Sequence, residues 1–545
     1  MPIDEHVRAQ APSAAAAVLD DAHAGEIRGA LGRIREPERG GRRTWRQRLL
    51  ALAAIMGPGL IVMVGDNDAG GISTYAQAGQ NHGTSLLWTL LMLVPVLIVN
   101  QEMVVRLGAV TGVGHARLIF ERFGRPWGSF SVTNLFLLNF LTTVTEFIGI
   151  SLGAEYFGLS PYIAVPLAAA LLVGITVSGS FERWERAMFV FIVASLLIVP
   201  LVVMAHPPIG PAVRDAVVPG IQGGATSSAV LLIIAIVGTT VAPWQLYFQQ
   251  SNVIDKRITP RWIPYERTDT VVGAFVVVLG AAAIMLAAAG AFDGTSGAGR
   301  FVDAGGVAHG IAQHVSSVAG SIFAIVLIDA SVIGASAVTL TTSYAFGDVF
   351  GIRQSLHRSW RDAKPFYASY AALVAVAAAI VLIPSAPLGL ITTAVQALAG
   401  IMLPSSGVFA LLLCNDRAVL GPWVNRPWLN ALASVIVGIL VVLSMILVTS
   451  TIFPQINVAT LFIVLVAVLA AVLAAMALWQ WGGRRPKAPA VDRADRETWR
   501  MPPSTLLTRP PRSRARQAAL LALGSYVVIA MLMLLVKAIE LATGH

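Results

Sequence analysis

Apolar runs of roughly 18 residues or more recur along nearly the whole chain, and this leaves it few possible folds. In hydrocarbon every backbone N–H and C=O must be bonded inside the structure, so runs of this length read as membrane-spanning helices. Composition agrees: of 545 residues, 56% are hydrophobic and 12% charged, against about 25% charged in ordinary soluble domains. The expected fold class is an all-α polytopic membrane protein with about thirteen spans. They fall at 47–79 (interrupted), 84–107, 128–156, 160–178, 185–205, 227–252 (interrupted), 268–291, 317–348, 366–384, 389–414, 428–450, 457–481 and 517–541.

Residues 1–46 hold Ala, Arg and Glu without an apolar core and are expected to be a disordered cytoplasmic tail. Residues 47–414 then form a ten-helix core, 415–481 peripheral helices eleven and twelve, 482–516 a basic cytoplasmic linker, and 517–545 a terminal thirteenth helix. With the N-terminus inside, basic segments such as ERFGR, ERWER, DKRITPRWIPYER and RQSLHRSWRDAK all face the cytoplasm, and the outer loops hold only Arg214 and Arg300. An odd number of spans puts His545 outside. The net charge of +9 follows from this bias and needs no nucleic acid. The single cysteine, Cys414, allows neither an intramolecular disulfide nor a Cys-based metal cluster.

Two spans interrupt themselves. Residues 57–74 read GPGLIVMVGDNDAGGIST, with Asp66 and Asp68 among five glycines. A helix broken at membrane depth exposes backbone polar groups and is tolerated only where it lines a protein-enclosed cavity. Each membrane carboxylate adds a cost of about 2.5–3.5 kcal/mol on lenient scales, so these acids need a cation or a water-filled path. The alternative is an outer loop between two short helices. Residues 236–253, IVGTTVAPWQLYFQQSNV, hold the second break, at Pro243. Breaks in spans one and six point to an inverted-repeat transporter with its site at the repeat interface.

The stretch GPGLIVMVGDNDAGGISTYAQAGQNHGTSLLW, followed by RLGAVTG and later by LPSSGVFALLLCNDRAVLGPWVNRPWLN, resembles the Nramp divalent-metal transporters over roughly 47–450. The resemblance implies a LeuT-like fold in which spans one to five and six to ten are inverted repeats. The family's Asp-Pro-Gly-Asn motif falls on Asp68, Ala69, Gly70 and Gly71, so the metal-binding acid is kept and the asparagine ligand is lost. Asp66 is an additional acid. The sixth-helix Met-Pro-His motif falls on Ala242, Pro243 and Trp244, without the thioether or the histidine. The third-helix Asp and Glu, linked to proton transfer, become Thr143 and Glu146. A tenth-helix glutamine falls on Met402, with Gln396 nearby.

These departures share a direction. Removing a soft sulfur donor and emptying space around Asp68 suits a hard, partly hydrated Mg2+ better than Mn2+ or Fe2+. The pattern resembles the Nramp-related magnesium transporters. Metal-site candidates are Asp68, Asp66, Gly71, Thr239, Thr240 and Ala242; ion-path candidates are Glu146, Asp329, Gln245 and Gln249. Glu146 and Asp329 can equally be buried structural acids, Thr239 and Thr240 can bond their own helix carbonyls, and Asn139 can bond between helices. His309 and His314 are placed on an outer loop. No ATPase motif and no Ser/His/Asp array is present, so the chain reads as a transporter and not an enzyme. The expected function is alternating-access transport of Mg2+ without proton coupling, with no cofactor and with the lipid bilayer as its partner. The alternatives are a proton-coupled Mn2+/Fe2+ transporter, an amino-acid transporter of the same fold, or a non-transporting sensor.

Overall fold

The structure, a computed structural model, describes residues 21–35 (except Ala24), 44–384 (except Ala225), 388–482 (except Pro454), 496–507, 517, 520–530 and 532. The chain enters through a short hairpin of β1 (Ile27–Gly29) and β2 (Gly32–Ile34). The first half then runs through α1 (Trp45–Ile55), α2 (Pro58–Val64), α3 (Ala69–His82), α4 (Leu87–Thr111), α5 (His115–Phe123), α6 (Arg125–Tyr156), α7 (Pro161–Thr176), α8 (Phe181–Ala194), α9 (Ile198–Ala205) and the outer helix α10 (Ile209–Val217). The second half holds α11 (Ser227–Thr240), α12 (Pro243–Asp255), α13 (Ile263–Phe292), α14 (Ala304–His314), α15 (Ser317–Phe350), α16 (Lys364–Val381) and α17 (Leu388–Cys414). The short α18 (Arg417–Leu420), α19 (Pro427–Ile452) and α20 (Val458–Gly482) follow.

Ten spans among the described residues are long and apolar enough to cross a membrane, or eleven if α1 and α2, bent by 50° to each other, count as one. Twelve of the thirteen expected segments appear as helices within a few residues of their limits. The exception in length is α7, whose 16 residues extend about 24 Å, short of a full crossing. Of the segment at 517–541, the described part is an apolar helix over Leu520–Ala530. The two expected breaks are present, α2/α3 at Gly65–Asp68 and α11/α12 at Val241–Ala242, and they face each other in the interior. An unexpected break at Met56–Gly57 leaves α2 only seven residues long, and all seven are buried.

Local chemistry sets these breaks. Asp68 has extended backbone and caps α3, its Oδ1 accepting from Gly71 N at 2.7 Å, a role for which aspartate is well suited. Pro243 occupies the first position of α12, where its missing N–H costs nothing. Around the breaks, α13 packs on α2, α3 and α4, while α15 packs on α6 and α12. The walls of the site are therefore long, regular helices.

Two sequence expectations change, and a third segment gains contacts. Residues 21–23 and 25–35 are not a disordered tail. They hold a helical turn at Asp21–His23 and the hairpin over Ile27–Ile34, with Ile27 buried; residues 1–20, 24 and 36–43 lie outside the described residues. His309 and His314 lie on α14, against Tyr156 and Phe292, and not on a loop. The linker docks over its described part: Arg496 stacks on Trp423 at 3.6 Å, its carbonyl accepts from Trp423 Nε1 at 2.7 Å, and Met501 N donates to Val110 O at 3.1 Å.

Candidate metal site

Three carboxyl side chains, Asp66, Asp68 and Glu146, are buried around the α2/α3 break. Gln245 Nε2 on α12 donates to Asp66 Oδ1, while Gln101 Nε2 on α4 donates to Gln245 Oε1 at 3.1 Å. The other Asp66 oxygen, Oδ2, is buried without a hydrogen-bond partner. Glu146 Oε2 on α6 accepts from Ala69 N at 3.1 Å, and its Oε1 is likewise unpartnered. Tyr75 OH on α3 and Thr240 Oγ1 on α11 lie 2.7 Å apart, tying one break to the other.

No Lys, Arg or His forms an ion pair with these three acids among the described residues. Buried charges are normally paired or coordinate metals. A carboxyl cluster with unpartnered oxygens and no basic neighbour leaves a cation as the natural counter-charge. Among the described residues no group of three or more His, Cys, Asp and Glu is set at ligand spacing. The site is thus no tight all-carboxylate cage, and bound water or amide oxygens would complete a coordination shell.

The structure brings most of the candidates together. Asp66, which the sequence ranks as the additional acid, has a wholly buried orphan oxygen, as Glu146 does; Asp68 divides its role between the site and the α3 cap. Thr239 Oγ1 is buried and unpartnered. Thr240 Oγ1 bonds Ile236 O at 2.6 Å and meets Tyr75 OH, the helix-carbonyl bond that the sequence offers as its alternative. Gln249, one turn inward from Gln245, donates to Thr270 Oγ1 at 3.0 Å and keeps a buried free Oε1. Asp329 lies elsewhere, bonded by Ser195 Oγ at 2.7 Å where α15 passes the end of α8. Asn139 bonds Thr342 Oγ1 at 3.0 Å, its interhelical alternative.

Gly71 and Ala242 do not simply open space. A Cβ on Gly71 would stand 2.9 Å from the Asp66 carbonyl oxygen and 3.3 Å from the Tyr75 ring, so Gly71 lets the break fold tightly on itself. Ala242 leads into Pro243, its carbonyl accepting from Gln245 N at 3.2 Å.

Two features escaped the sequence reading. A Cβ on Gly334 of α15 would meet Glu146 Oε2 at 2.7 Å and Asp68 Cβ at 2.8 Å, so this glycine is the floor on which the two acids sit. The Gln396 amide of α17 lies directly over Gly70, close enough that a Cβ there would overlap it. Met402, by contrast, packs among Leu138, Val395, Ala399 and Val527. The glutamine was visible in the sequence; only the three-dimensional course of α17 selects it over Met402. Gly334 carries no sequence signal beyond the small-residue run GASA. Replacing it tests the floor: Gly334→Ala should leave a purified, helical protein while cutting transport at least about tenfold, because the acids cannot give way against α6 and α3. Uptake at the wild-type rate in proteoliposomes would refute this.

Residues 59–450, well over half of the chain, match the family described as natural resistance-associated macrophage protein-like. The chain belongs to the Nramp family. Among relatives of this Nramp protein, the divalent metal cation transporter MntH 1 of Pseudomonas aeruginosa is 27% identical over 408 residues, covering 72% of this chain and 90% of the relative. The divalent metal cation transporter MntH of Lacticaseibacillus casei is 24% identical over 425 residues, covering 73% and 90%. Among solved structures, the Eremococcus coleocola manganese transporter in complex with an aromatic bis-isothiourea substituted compound superposes with a TM-score of 0.62 at 19% identity. It covers 85% of this chain and 98% of that one. The Nramp chain thus shares the all-helical, polytopic fold of that structure, and it is a transporter and not an enzyme.

Proposed function

We propose that this protein moves a divalent metal cation across the membrane by alternating access, that the ion is Mg2+ with part of its water shell, and that no proton is coupled to its movement. The observation that carries this reading is the donor set. Asp66, Asp68, Glu146, Thr239, Gln245 and Gln396 offer only oxygen and amide groups around the breaks, and the one methionine candidate, Met402, packs in an apolar cluster. Carboxylate, carbonyl and water donors suit hard ions, while thioether and thiolate donors favour soft ones. Mg2+ in particular keeps several waters and takes one or two carboxylates, and this site offers unpartnered carboxylate oxygens without a closed cage.

Proton coupling lacks two of its titratable groups. Thr143 stands at the third-helix acid position and bonds Asn139 O at 2.8 Å. Trp244 stands at the sixth-helix histidine position and packs against Phe248. An indole cannot carry a proton at physiological pH.

A second reading, Mn2+ transport, is favoured by the solved neighbour, a manganese transporter, and Mn2+ also accepts oxygen donors. One experiment separates the two. Proteoliposomes with a pH dye inside are given Mg2+, Mn2+ and Ca2+ in turn, with and without a pH gradient. The expected result is Mg2+ influx that does not acidify the lumen and does not respond to the gradient. Mn2+ influx that acidifies the lumen, with no Mg2+ influx, would overturn the proposal.

A further inference from the structure

The N-terminal hairpin joins three membrane-spanning elements at one end of the bundle, the cytoplasmic end by the charge asymmetry of the loops. Ala30 N, in its turn, donates to Glu185 Oε2 of α8 at 2.5 Å. The other oxygen of the same carboxylate pairs with Lys256, at the end of α12, at 2.6 Å, with both side chains fully buried. Lys256 Nζ also donates to Met56 O at 2.8 Å, in the unexpected break that precedes α2. One buried ion pair therefore holds α8, α12 and the start of α2, and the hairpin closes over it. Gly29 lies so near Lys256 and Ala54 O that a Cβ there would collide with both.

Neighbouring contacts repeat the pattern. Arg33 pairs with Glu182 of α8 at 3.0 Å. Arg257 donates through Nε to Ala22 O at 2.9 Å and through a terminal nitrogen to Glu26 O at 3.2 Å. Its φ of +66° puts a non-glycine residue in the left-handed region, a strain that persists only where surrounding contacts impose it. On the far side, Asp269 of α13 accepts from Gly57 N at 3.1 Å and Gly59 N at 2.7 Å, fixing the first turn of α2. Gly57, at φ +153°, has no room for a side chain against Glu185 and Lys256.

We propose that residues 21–35 are an intramolecular latch on the cytoplasmic gate. The half-helix α2 is short, begins at the Met56–Gly57 break and is held by α8, α12 and α13 at its inner end. A path from the Asp66–Asp68 break to the cytoplasm opens only if α2 parts from these partners. The hairpin is bonded to two of them and to the charge pair that binds α2. It must therefore lift before the gate opens, and its docking biases the population toward the inwardly closed state. This rests on the alternating-access reading but not on the identity of the ion.

A thiol reporter separates a latch from a brace. In a Cys414→Ala background, Thr270→Cys places a single cysteine on α13, buried beside Gly59. Inside-out vesicles are treated with a membrane-impermeant maleimide. Removal of residues 21–35, and separately Ile27→Asp, should speed labelling about tenfold. An unchanged labelling rate overturns the latch, and a lower melting temperature with unchanged labelling reduces the hairpin to a brace. The converse arm uses Arg33→Cys with Glu182→Cys in the Cys414→Ala background, joined by a reducible bis-thiol cross-linker. Mg2+ and Mn2+ uptake should both stop when the pair is linked and return on reduction. Uptake by the linked protein at the unlinked rate would show that the hairpin never has to move. The labelling arm reads gate opening without any transported ion, so it still reports if the magnesium reading fails.

Discussion

Asp68→Asn is expected to yield a folded protein that carries no ion. Asparagine caps a helix about as well as aspartate, so the bond from Gly71 N, 2.7 Å in the native protein, has an equivalent acceptor. What disappears is one full negative charge beside Asp66 and Glu146. If that charge offsets part of the ion's lost hydration, losing it should reduce uptake at least about a hundredfold, equivalent to about 2.7 kcal/mol. Asp66→Asn should do comparable damage. Its Oδ2 is buried without a partner, and the variant would turn an NH2 group toward the place a cation takes. Proteoliposome uptake and thermal melting, run side by side, check both. Wild-type uptake by Asp68→Asn would move the ion away from the α2/α3 break, and a collapse in melting temperature would mark the acid as structural.

The second large effect is on selectivity. Ala242→Met should shift preference from Mg2+ toward Mn2+ or Cd2+ by about tenfold, or roughly 1.4 kcal/mol of differential binding. The added thioether stands at the head of α12, one turn before Gln245, and supplies the soft donor that the site lacks. Calorimetry on the purified protein with each ion would read it. Equal affinities in variant and wild type would remove this position from the selectivity argument. Gly71→Asn is the poorer partner for that test. A Cβ there stands 2.9 Å from the Asp66 carbonyl, so the substitution should disturb the break and weaken every ion alike.

The site was legible in the sequence in proportion to how local its causes are. Asp66, Asp68 and Pro243 announce themselves because acids, glycines and a proline inside apolar runs break rules that hold residue by residue. Glu146 was legible for the same reason. The partners of Thr240 and Asp329, an internal helix carbonyl and Ser195, were not legible, because the course of the chain sets them. Gln396 and Gly334 take their meaning from other helices: one covers Gly70, and the other leaves room for two side chains from α3 and α6.

The sequence by itself determined the solvent, the spans and the two interruptions. In a bilayer each backbone group must be satisfied within its own segment, so length, apolarity and breakage are one-dimensional properties. Tertiary structure decided which acid keeps an empty oxygen, which glutamine reaches the break, and that residues 21–35 close over a buried Glu185–Lys256 pair. Those outcomes depend on distances between groups far apart in the chain, as Gly70 and Gln396 are, and packing alone sets them.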